Sequence, residues 1–552
     1  MSAHLHPVIT SLLEQRGITG TAQEVFLHPD FSRDTHDGGL MKGMSVAVAR
    51  LSVAIREDET IGIFGDYDAD GVPATALLVR ALRGLGVEPV ALIPTRAAGY
   101  GLNPGAVAEI ISQGITLLIT VDNGTVSESE IAALKEAGID TIVCDHHEPQ
   151  EGHLAYSALA ILNPKQPDCP YPFKELCGCA IAWKLMISLY GELGRDWTPL
   201  KWELDLVAFS TIADMVPMLG ENRVLVTYGL QVLRKTRNVG LKALAEVAGI
   251  ELSKLSSGSV GFQLAPRINA PSRMHQEMEG GRNVALSLLT EPDSTEARRL
   301  AGYLNDQNAG RQRLLEQHLK EAEALAVAQG DDLCLVLYGE TWSTGVIGLV
   351  AGRMLERFGR PVVALATEGG AIKGSVRSLD GFHAVELMAG AGELLERYGG
   401  HSKAGGLSLG EGVLPDQLRD SLNIWAAGQG WNHAGFAVAW RRGADLEISL
   451  QDADMELAEG LAVLEPFGIG FSAPLFESEC KLGSVRRVGR EQKHLACFLE
   501  DGAVRRKAIA FGKGETEVDP EQQYLVMYAL EVEEWNNVRA PSCLIRRIEP
   551  SA

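Results

Sequence analysis

The segment at residues 61–86, IGIFGDYDADGVPATALLVRALRGLG, predicts the fold of this chain most clearly. It opens with four apolar residues, passes through an acidic turn, and ends in a stretch whose apolar residues have helical spacing. A strand, a tight turn and a helix in this order begin a βαβ unit. Similar apolar runs follow: PVALI at 89–93, TLLITV at 116–121 and TIVC at 141–144. Helix-like stretches separate these runs, so the region predicts a parallel β-sheet with helices on its faces.

One of these helix-like stretches, SESEIAALKEAG at 127–138, begins with a serine and a glutamate. This composition predicts a helix that Ser127 caps and that ends at Gly138. The acidic turn of the first unit and the residues after the later strands should then all lie at strand ends.

The chain has 552 residues, 50 of them basic and 72 acidic, which gives a formal net charge of −22. At roughly 150 residues per domain, this length predicts three to four domains. The acidic balance argues against a protein that coats nucleic acid or an anionic membrane with its whole surface, although a local basic groove is compatible with it.

The eight cysteines include no CxxC pair, which argues against a zinc ribbon and against a disulfide scaffold. Cys177 and Cys179 are interpreted as small helix-packing residues, with metal ligation as the alternative. The N-terminus has no basic stretch before an apolar core, and no apolar run reaches the roughly 18 residues of a membrane span. We therefore expect a soluble, cytoplasmic protein without a membrane partner.

The pattern changes several times along the chain. Residues 196–280 have helical periodicity, and 296–330 predict a long charged helix that bridges two domains. A second α/β unit begins near residue 333. After about 436 the segments are short and strand-like, FAVAW at 436–440 being the first, which predicts a small β-barrel. The predicted division is an N-terminal helical and extended segment (1–45), a parallel-sheet domain (46–280), a connecting helix (281–330), a smaller α/β domain (331–430) and an OB-like β-domain (431–552).

Three alternating carboxylates, Asp66, Asp68 and Asp70, directly follow the first strand. Such a cluster is tolerable chiefly when a divalent cation neutralises it. An EF-hand loop is disfavoured because its twelfth position would be Leu77, where a bidentate Glu is required, and because a strand precedes it. A solvated acidic turn is the remaining alternative for this motif taken by itself.

Further polar motifs follow the next strands: VDNG with Asp122, and CDHHEP with His146 and His147; the helical ADMVP adds Asp214. Loops that follow successive parallel strands meet at one edge of the sheet, where ligands bind. A mixed set of carboxylates and imidazoles, with one Asp able to bridge, suits two metal ions acting on a phosphoryl group. The imidazoles favour Mn²⁺ over Ca²⁺.

The motifs DYDADG, VDNG, DHHEP and ADMVP, in this order, resemble those of the DHH phosphoesterase superfamily. The chain as a whole is similar to the bacterial single-strand-specific exonucleases of that superfamily. Further segments carry the resemblance: IPTRAAGYGLN (93–103), LAPRINA (264–270), GSVRS (374–378), GGHSKAGG (399–406) and PFGIGFSAPLFE (466–477). The resemblance implies a DHH domain, a DHHA1 substrate-binding domain and a C-terminal OB-fold.

The resemblance also implies roles for individual residues. One Mn²⁺ or Mg²⁺ ion would be held by Asp70, Asp122, His146 and Asp214, and a second by Asp68 and Asp122 with Asp66 nearby. His147 would donate a hydrogen bond or a proton at the scissile phosphate. The resemblance implies a catalytic role for Asp66 as well. The implied substrate-binding residues are Arg96, Arg267, Asn269, Arg273, Ser375, Arg377 and His401, and GSVRS would clamp a 5′-phosphate and so set 5′-to-3′ polarity.

The last region contains a basic island between Lys481 and Lys513, with nine Lys or Arg against three acids. Phe498 and Phe511 lie within it, which favours a surface that binds single strands. A β-module that only braces the core is the alternative.

The implied activity is 5′-to-3′ hydrolysis of single-stranded DNA to 5′-mononucleotides in DNA repair and recombination. A phosphodiesterase for dinucleotides or short oligonucleotides is a second hypothesis, which the roughly 120 further residues beyond such enzymes disfavour. A non-catalytic single-strand-binding scaffold is a third, and it would be marked by lost carboxylates. The partners expected are single-stranded DNA with a 5′ end, a single-strand-binding protein and a helicase.

Overall fold

The computed structural model describes residues 5–150, 152–440, 443–535 and 538–551. Four helices precede the first strand: α1 (Pro7–Gln15), α2 (Thr21–Leu27), α3 (Phe31–Asp34) and α4 (Met44–Arg56). Helix α1 starts at a proline and buries Ile9, Leu12 and Leu13 at helical spacing. These three side chains pack in the hydrophobic core of the C-terminal barrel described below. The N-terminal segment therefore belongs to a core formed more than 400 residues later in the chain.

The first sheet is entirely parallel and has the strand order β2-β1-β3-β4-β5. Its strands and flanking helices are β1 (Ile61–Phe64), α5 (Gly71–Gly84), β2 (Val90–Leu92), α6 (Pro104–Ser112), β3 (Leu117–Val121), α7 (Glu128–Glu136), β4 (Asp140–Cys144) and β5 (Ala160–Leu162). Every residue of β1 and β3 is buried, which explains their uninterrupted apolar sequences. The predicted βαβ units are confirmed. Ser127 does occupy the position before α7, but its side chain makes no capping hydrogen bond.

A helical layer covers this sheet and leads into the long helix. It consists of α8 (Gly178–Glu192), α9 (Leu204–Ala213), α10 (Gly220–Leu233), α11 (Val239–Val247), α12 (Ser257–Ser259), α13 (Ala265–Arg273), a short hairpin of β6 (Met278–Glu279) and β7 (Arg282–Asn283), α14 (Val284–Thr290) and α15 (Ser294–Ala328). Helix α15 has 35 residues and is capped by Asp293, whose side chain accepts the N–H groups of Thr295 and Glu296. At about 1.5 Å per residue it extends for roughly 50 Å.

The second α/β unit has a mixed sheet in the order β11-β12-β10-β9-β8, in which only β8 and β9 are parallel. Its elements are β8 (Leu335–Gly339), α16 (Thr344–Phe358), β9 (Val362–Glu368), β10 (Ala371–Arg377), α17 (Ala384–Ala389), β11 (Leu395–Gly400), β12 (Ala404–Leu409), α18 (Pro415–Gly428) and α19 (His433–Trp440).

The prediction of a strand for FAVAW is wrong, because these residues form the second half of α19. The side chain of Asn432 accepts the N–H of Gly435 and starts the helix. Phe436 is 1% exposed and packs edge-on against Phe382 and Trp431. This aromatic cluster outweighs the strand propensity of the sequence.

The C-terminal strands close into a barrel. They are β13 (Leu446–Glu447), β14 (Phe476–Val488), β15 (His494–Asp501), β16 (Val504–Ala510), β17 (Tyr524–Trp535) and β18 (Val538–Pro550), with helix α20 (Met455–Gly460) between the first two. The order β14-β15-β16-β18-β17 returns to β14, and β16 and β18 are parallel. Five strands joined in this way match an OB-like barrel.

Among the described residues, no single helix is long and apolar enough to cross a membrane. One pair, Phe31–Leu40 with Met44–Arg56, reaches the required length and composition together, but it is bent by 74°.

Candidate metal centre and substrate cavity

The loop after β1 carries the first three carboxylates and is held by its own backbone. The Asp68 Oδ1 accepts the N–H groups of Asp70 and Gly71 at 2.9 and 3.0 Å, which starts α5 directly after the acidic turn. A Cβ at Gly71 would lie 2.6 Å from the backbone of Asp66. Only glycine therefore lets the loop close this tightly on the start of the helix.

The N-terminus of α8 points at Asp70. The backbone N–H groups of Gly178 and Cys179 donate to its two carboxylate oxygens at 2.7 and 3.0 Å. The helix dipole and these two donors favour the ionised carboxylate and fix its orientation. The segment LCGCA thus holds a site carboxylate through its backbone. The Cys177 and Cys179 thiols are buried and free, in agreement with their predicted packing role.

Asp122 follows β3 in a left-handed conformation with φ of 63°. This conformation is uncommon for a residue with a side chain and is typical of functional sites. Asp122 is 2% exposed, and a Cβ at Gly178 would lie 2.9 Å from its Cβ. Helix α8 can approach the strand end this closely only because residue 178 is glycine.

His146, after β4, lies among the carboxylates. Its Nε2 is 3.2 Å from the Asp122 Oδ1, 3.5 Å from the Asp214 Oδ2 and 3.9 Å from the Asp70 Oδ2. Ligand atoms within 4.8 Å of one another form three groups: Asp70, His146 and Asp214; Asp66, Asp68 and Asp122; and Asp122, His146 and His147. The structure therefore brings together all seven residues that the sequence predicted for the metal and catalytic site.

The donor atoms of this cluster lack the partners that buried polar groups normally have. Among the described residues, the Asp66 Oδ1, the Asp122 Oδ1 and the His146 Nε2 are buried without a hydrogen bond. Oxygen and imidazole ligands in this mixture fit Mn²⁺ or Mg²⁺. The cluster thus passes the chemical test for a divalent-cation site.

Burial and mutual repulsion shift the pKa values of these groups. Burial and the charge of Asp68 raise the pKa of Asp70 to about 6, and burial and the charge of Asp70 raise the pKa of Asp214 to about 8. Burial and neighbouring carboxylates, Asp70 foremost, also raise the pKa of Asp122 well above its usual value. Burial and the charge of His147 lower the pKa of His146 to about 4, so its imidazole is neutral, as a metal ligand must be.

His147 has a different environment from His146. Its Nδ1 lies 2.8 Å from the Asp145 Oδ1, and the Tyr100 hydroxyl lies 3.1 Å from the same nitrogen. Burial lowers the pKa of His147, but the Asp145 hydrogen bond and charge outweigh it and raise that pKa to about 9. His147 is therefore a protonated donor, oriented by Asp145. The sequence assigned no role to Tyr100 or Asp145, although both lie in the quoted motifs.

Three family models match separate parts of the chain: the DHH family N-terminal domain at residues 60–211, the DHHA1 domain at 331–426 and the RecJ OB domain at 444–547. The chain is 36% identical over 551 residues to the single-stranded-DNA-specific exonuclease RecJ of Bacillus subtilis, covering 98% of this chain and 68% of the relative. It belongs to the RecJ family. The RecJ of Escherichia coli is 33% identical and covers 100% of this chain and 97% of its own.

A crystal structure of RecJ from Thermus thermophilus in complex with Mn²⁺ superposes with a TM-score of 0.83 and 32% identity, covering 99% of this chain and 76% of that chain. The complex of the same relative with Mg²⁺ has a TM-score of 0.77 and 30% identity, covering 99% of this chain and 75% of that chain. These matches confirm the predicted fold, with its DHH, DHHA1 and OB parts. The two complexes of the relative hold Mn²⁺ and Mg²⁺, the cations that the sequence predicts for this chain.

A cavity of about 540 Å³ lies between the DHH and DHHA1 parts of this RecJ chain. Four of the predicted substrate-binding residues line it: Arg96, Arg273, Ser375 and Arg377. The Arg273 Nη1 donates to the backbone oxygen of Gly345, which ties α13 to α16. The Arg377 Nη1 donates to the Ser375 Oγ at 3.0 Å. Lys373 and Arg397 add two cations that the sequence did not single out.

The other three predicted substrate residues lie outside this lining. The Arg267 Nε donates to the Asn305 Oδ1 on α15, and the Asn269 Oδ1 is buried without a partner among the described residues. His401 is exposed in the turn between β11 and β12. Contact of these three residues with a strand stays a prediction.

Much of the charge in the basic island of the barrel is paired. Lys481 lies 3.0 Å from Glu521, Arg505 lies 2.8 Å from Glu500 and Lys507 lies 2.7 Å from Glu533. Two of these acids, Glu521 and Glu533, lie outside the segment in which the sequence charge was counted. Phe511 is 58% exposed, as a stacking surface requires. The island therefore still fits either a surface that binds single strands or a module that only braces the core. The side chain of Arg490, which belongs to the island, lies outside the described residues.

Proposed function

We propose that this chain is a metal-dependent exonuclease that hydrolyses single-stranded DNA from its 5′ end and releases 5′-mononucleotides. The observation that carries the proposal is the place of Asp122 between two ligand groups. Asp122 belongs to the group of Asp66 and Asp68, and its Oδ1 lies 3.2 Å from the Nε2 of His146, which belongs to the group of Asp70 and Asp214. A carboxylate shared in this way can hold two cations near each other, and two such cations suit in-line displacement at a phosphodiester.

In this proposal Asp70, Asp122, His146 and Asp214 hold one divalent cation, and Asp66, Asp68 and Asp122 hold the other. When bound, the two cations supply Lewis-acid polarisation of the phosphodiester and activation of water. The α8 N-terminus keeps the Asp70 oxygens directed into the site through its two N–H donors.

His147 acts as the protonated donor beside the scissile phosphate. Asp145 holds its Nδ1, so the ring is locked in one orientation and its charge is stabilised. The Tyr100 hydroxyl donates to the Asp122 backbone oxygen at 2.9 Å, and the Tyr100 ring contacts the His147 ring. These two contacts fix the position of the His147 ring relative to Asp122. A donor that is already oriented stabilises charge on a phosphate oxygen without reorganisation of the site.

The cavity beside the metal cluster receives the 5′-terminal phosphate. Its arginines supply bidentate donors, and Ser375 adds a hydroxyl. A phosphate held there allows only a strand end to reach the cations, which sets 5′-to-3′ polarity. Arg267, Asn269 and His401 contact the strand outside the cavity.

We place this activity in cytoplasmic DNA repair and recombination, with a helicase and a single-strand-binding protein as partners. The net charge of −22 supports docking of proteins, because it leaves much of the surface unsuited to DNA.

Digestion of 5′-labelled single-stranded, 3′-labelled single-stranded and blunt duplex DNA, with Mn²⁺, Mg²⁺ or EDTA, tests the proposal. We expect the 5′ label to be released first as a mononucleotide, only from single strands and only with a cation. The Asp122→Ala variant should lose cleavage, and Asp420→Asn, at an exposed position on α18, should retain it. Release of the 3′ label first, or cleavage of dinucleotides alone, would contradict the proposal.

A further inference from the structure

Tyr67 lies between two of the metal-site carboxylates, Asp66 and Asp68, and its half-buried ring lines the cavity. The guanidinium carbon of Arg96 lies 4.6 Å from the centre of that ring. This distance is within the range of a cation–π contact. The loop that carries the carboxylates thus also supports a cation of the cavity wall.

Arg96 is held a second time, through its backbone. Its N–H donates to the Oε1 of Glu277 at 2.8 Å, and Glu277 is only 4% exposed. Arg96 begins the short 3₁₀ helix Arg96–Ala98, which ends before Gly99 with φ of 100°. A buried carboxylate at the start of this irregular segment fixes the point from which the arginine side chain extends.

The Arg96 side chain keeps its donors free. In the part of the chain that the structure describes, it forms no ion pair with a carboxylate, and its Nε is buried without a partner. An acidic partner would occupy two N–H donors and neutralise the charge, whereas an aromatic face restricts the rotamers and leaves all donors available. Support by a ring therefore suits an arginine that must bind a phosphate.

We infer that Tyr67 and Glu277 are positioning residues that aim Arg96 at the terminal phosphate of the DNA strand. The inference rests on the proposed function of the same site. It couples recognition of the strand end to the metal-binding loop, because Tyr67 lies between two carboxylates of that loop.

The test compares kcat and KM on 5′-phosphorylated and 5′-hydroxyl oligonucleotides with Mn²⁺. Tyr67→Leu removes the ring and should reduce the preference for the phosphorylated strand about tenfold, through KM. Tyr67→Phe keeps the aromatic face and should retain the preference. Glu277→Ala should reduce it, whereas Glu277→Gln keeps an acceptor for the Arg96 N–H and should retain most of it.

A double-mutant cycle separates positioning from simple distortion of the loop. Tyr67→Leu should cause no further loss of preference in an Arg96→Met background, and calorimetric titration should show unchanged Mn²⁺ stoichiometry and affinity. Additive losses, loss of Mn²⁺ binding in Tyr67→Leu, or equal damage by Tyr67→Phe would overturn the inference.

Binding of the same two oligonucleotides in EDTA, measured by fluorescence anisotropy, makes the test independent of cleavage. A wild type that prefers the phosphorylated strand in EDTA and yet cuts nothing when Mn²⁺ is supplied would refute the proposed function. In that case the inference would stand if Tyr67→Leu lost the binding preference. A wild type that cuts DNA while Tyr67→Leu discriminates as well as it does would end the inference alone.

Discussion

Replacing Asp122 with Asn should change the stability of this protein in opposite directions with and without divalent cations. Asp122 is buried, and its pKa is raised well above the usual value by burial and then by the charges of Asp70, Asp68 and Asp214. In metal-free protein this carboxylate is repelled by its neighbours. In metal-loaded protein it is a ligand of both proposed ions. Asn has the same shape and no charge, so it separates the two effects.

The size of the effect follows from proton linkage. A carboxyl group whose folded pKa is raised favours its protonated form, so stability is lost as the pH rises from about 4 to the folded pKa. The pKa of Asp214 is about 8. At 1.36 kcal/mol per pKa unit, burying one such carboxylate in the metal-free cluster costs on the order of 5 kcal/mol at pH 8. Asp122→Asn removes one of the charges that repel Asp214, so it should recover part of this cost and raise the melting temperature of the metal-free protein by a few degrees. With Mn²⁺ the loss of a shared ligand should lower cation affinity by more than about 100-fold.

Thermal melting at pH 8 in EDTA and in Mn²⁺ measures both effects, with Asp420→Asn as the exposed control. We expect Asp122→Asn to melt above the wild type in EDTA and below it in Mn²⁺. A variant that melts below the wild type by the same margin in both buffers would show that Asp122 acts only through packing, and the argument from unneutralised charge would be wrong.

Three further predictions concern other positions. Burial and the charge of Glu203 raise the pKa of Asp205 to about 7, so this group alone should contribute a loss of roughly 4 kcal/mol between pH 4 and pH 7. The melting temperature of Asp205→Asn should therefore fall less steeply with pH than that of the wild type, and parallel profiles would contradict this. Gly178→Ala places a Cβ 2.9 Å from that of Asp122, so it should displace this carboxylate and weaken Mn²⁺ binding about 10-fold or more, as measured by calorimetry. Unchanged affinity would show that the close approach of α8 to Asp122 does not require glycine at 178. Arg223 donates to backbone oxygens of Phe26 and of residues 464–466. Arg223→Lys should therefore lower the free energy of unfolding by roughly 2–3 kcal/mol and expose the junction with the barrel to proteolysis. Equal digestion rates of variant and wild type would show that this junction does not depend on Arg223.

The sequence predicted the meeting of the Asp and His side chains because parallel strands all end at one edge. Asp70, Asp122 and His146 follow β1, β3 and β4, and these three strands are neighbours in the sheet. The rule needs only strand order and direction, which apolar runs and helical spacing reveal. The long helix α15 was equally visible, since its charged, periodic sequence runs for 35 residues through Gly310.

The remaining features depend on contacts between distant segments, which local patterns do not report. Helix α1 packs in the barrel core, and FAVAW is helical because Phe436 joins an aromatic cluster with Phe382 and Trp431. The pairing of the basic island escaped the sequence count for the same reason, because Glu521 in the turn before β17 and Glu533 on β17 contact its lysines. Periodicity describes one segment, whereas these outcomes were decided by its neighbours in space.

The N-terminus of α8 provides hydrogen-bond donors to the site that the sequence motifs do not predict. The strand-end rule brings Asp70 to the cluster, but burial and the charge of Asp68 raise the pKa of its carboxyl, to about 6 even with two backbone donors, and the rule does not fix its orientation. Gly178 and Cys179 provide those donors from the backbone, and a backbone N–H leaves no trace in residue identity except the glycine that permits the approach. The unusual φ of Asp122 and the unpartnered His146 Nε2 each oppose stability in the metal-free protein. Their occurrence at one strand edge is best explained by a bound cation, which would offset both costs.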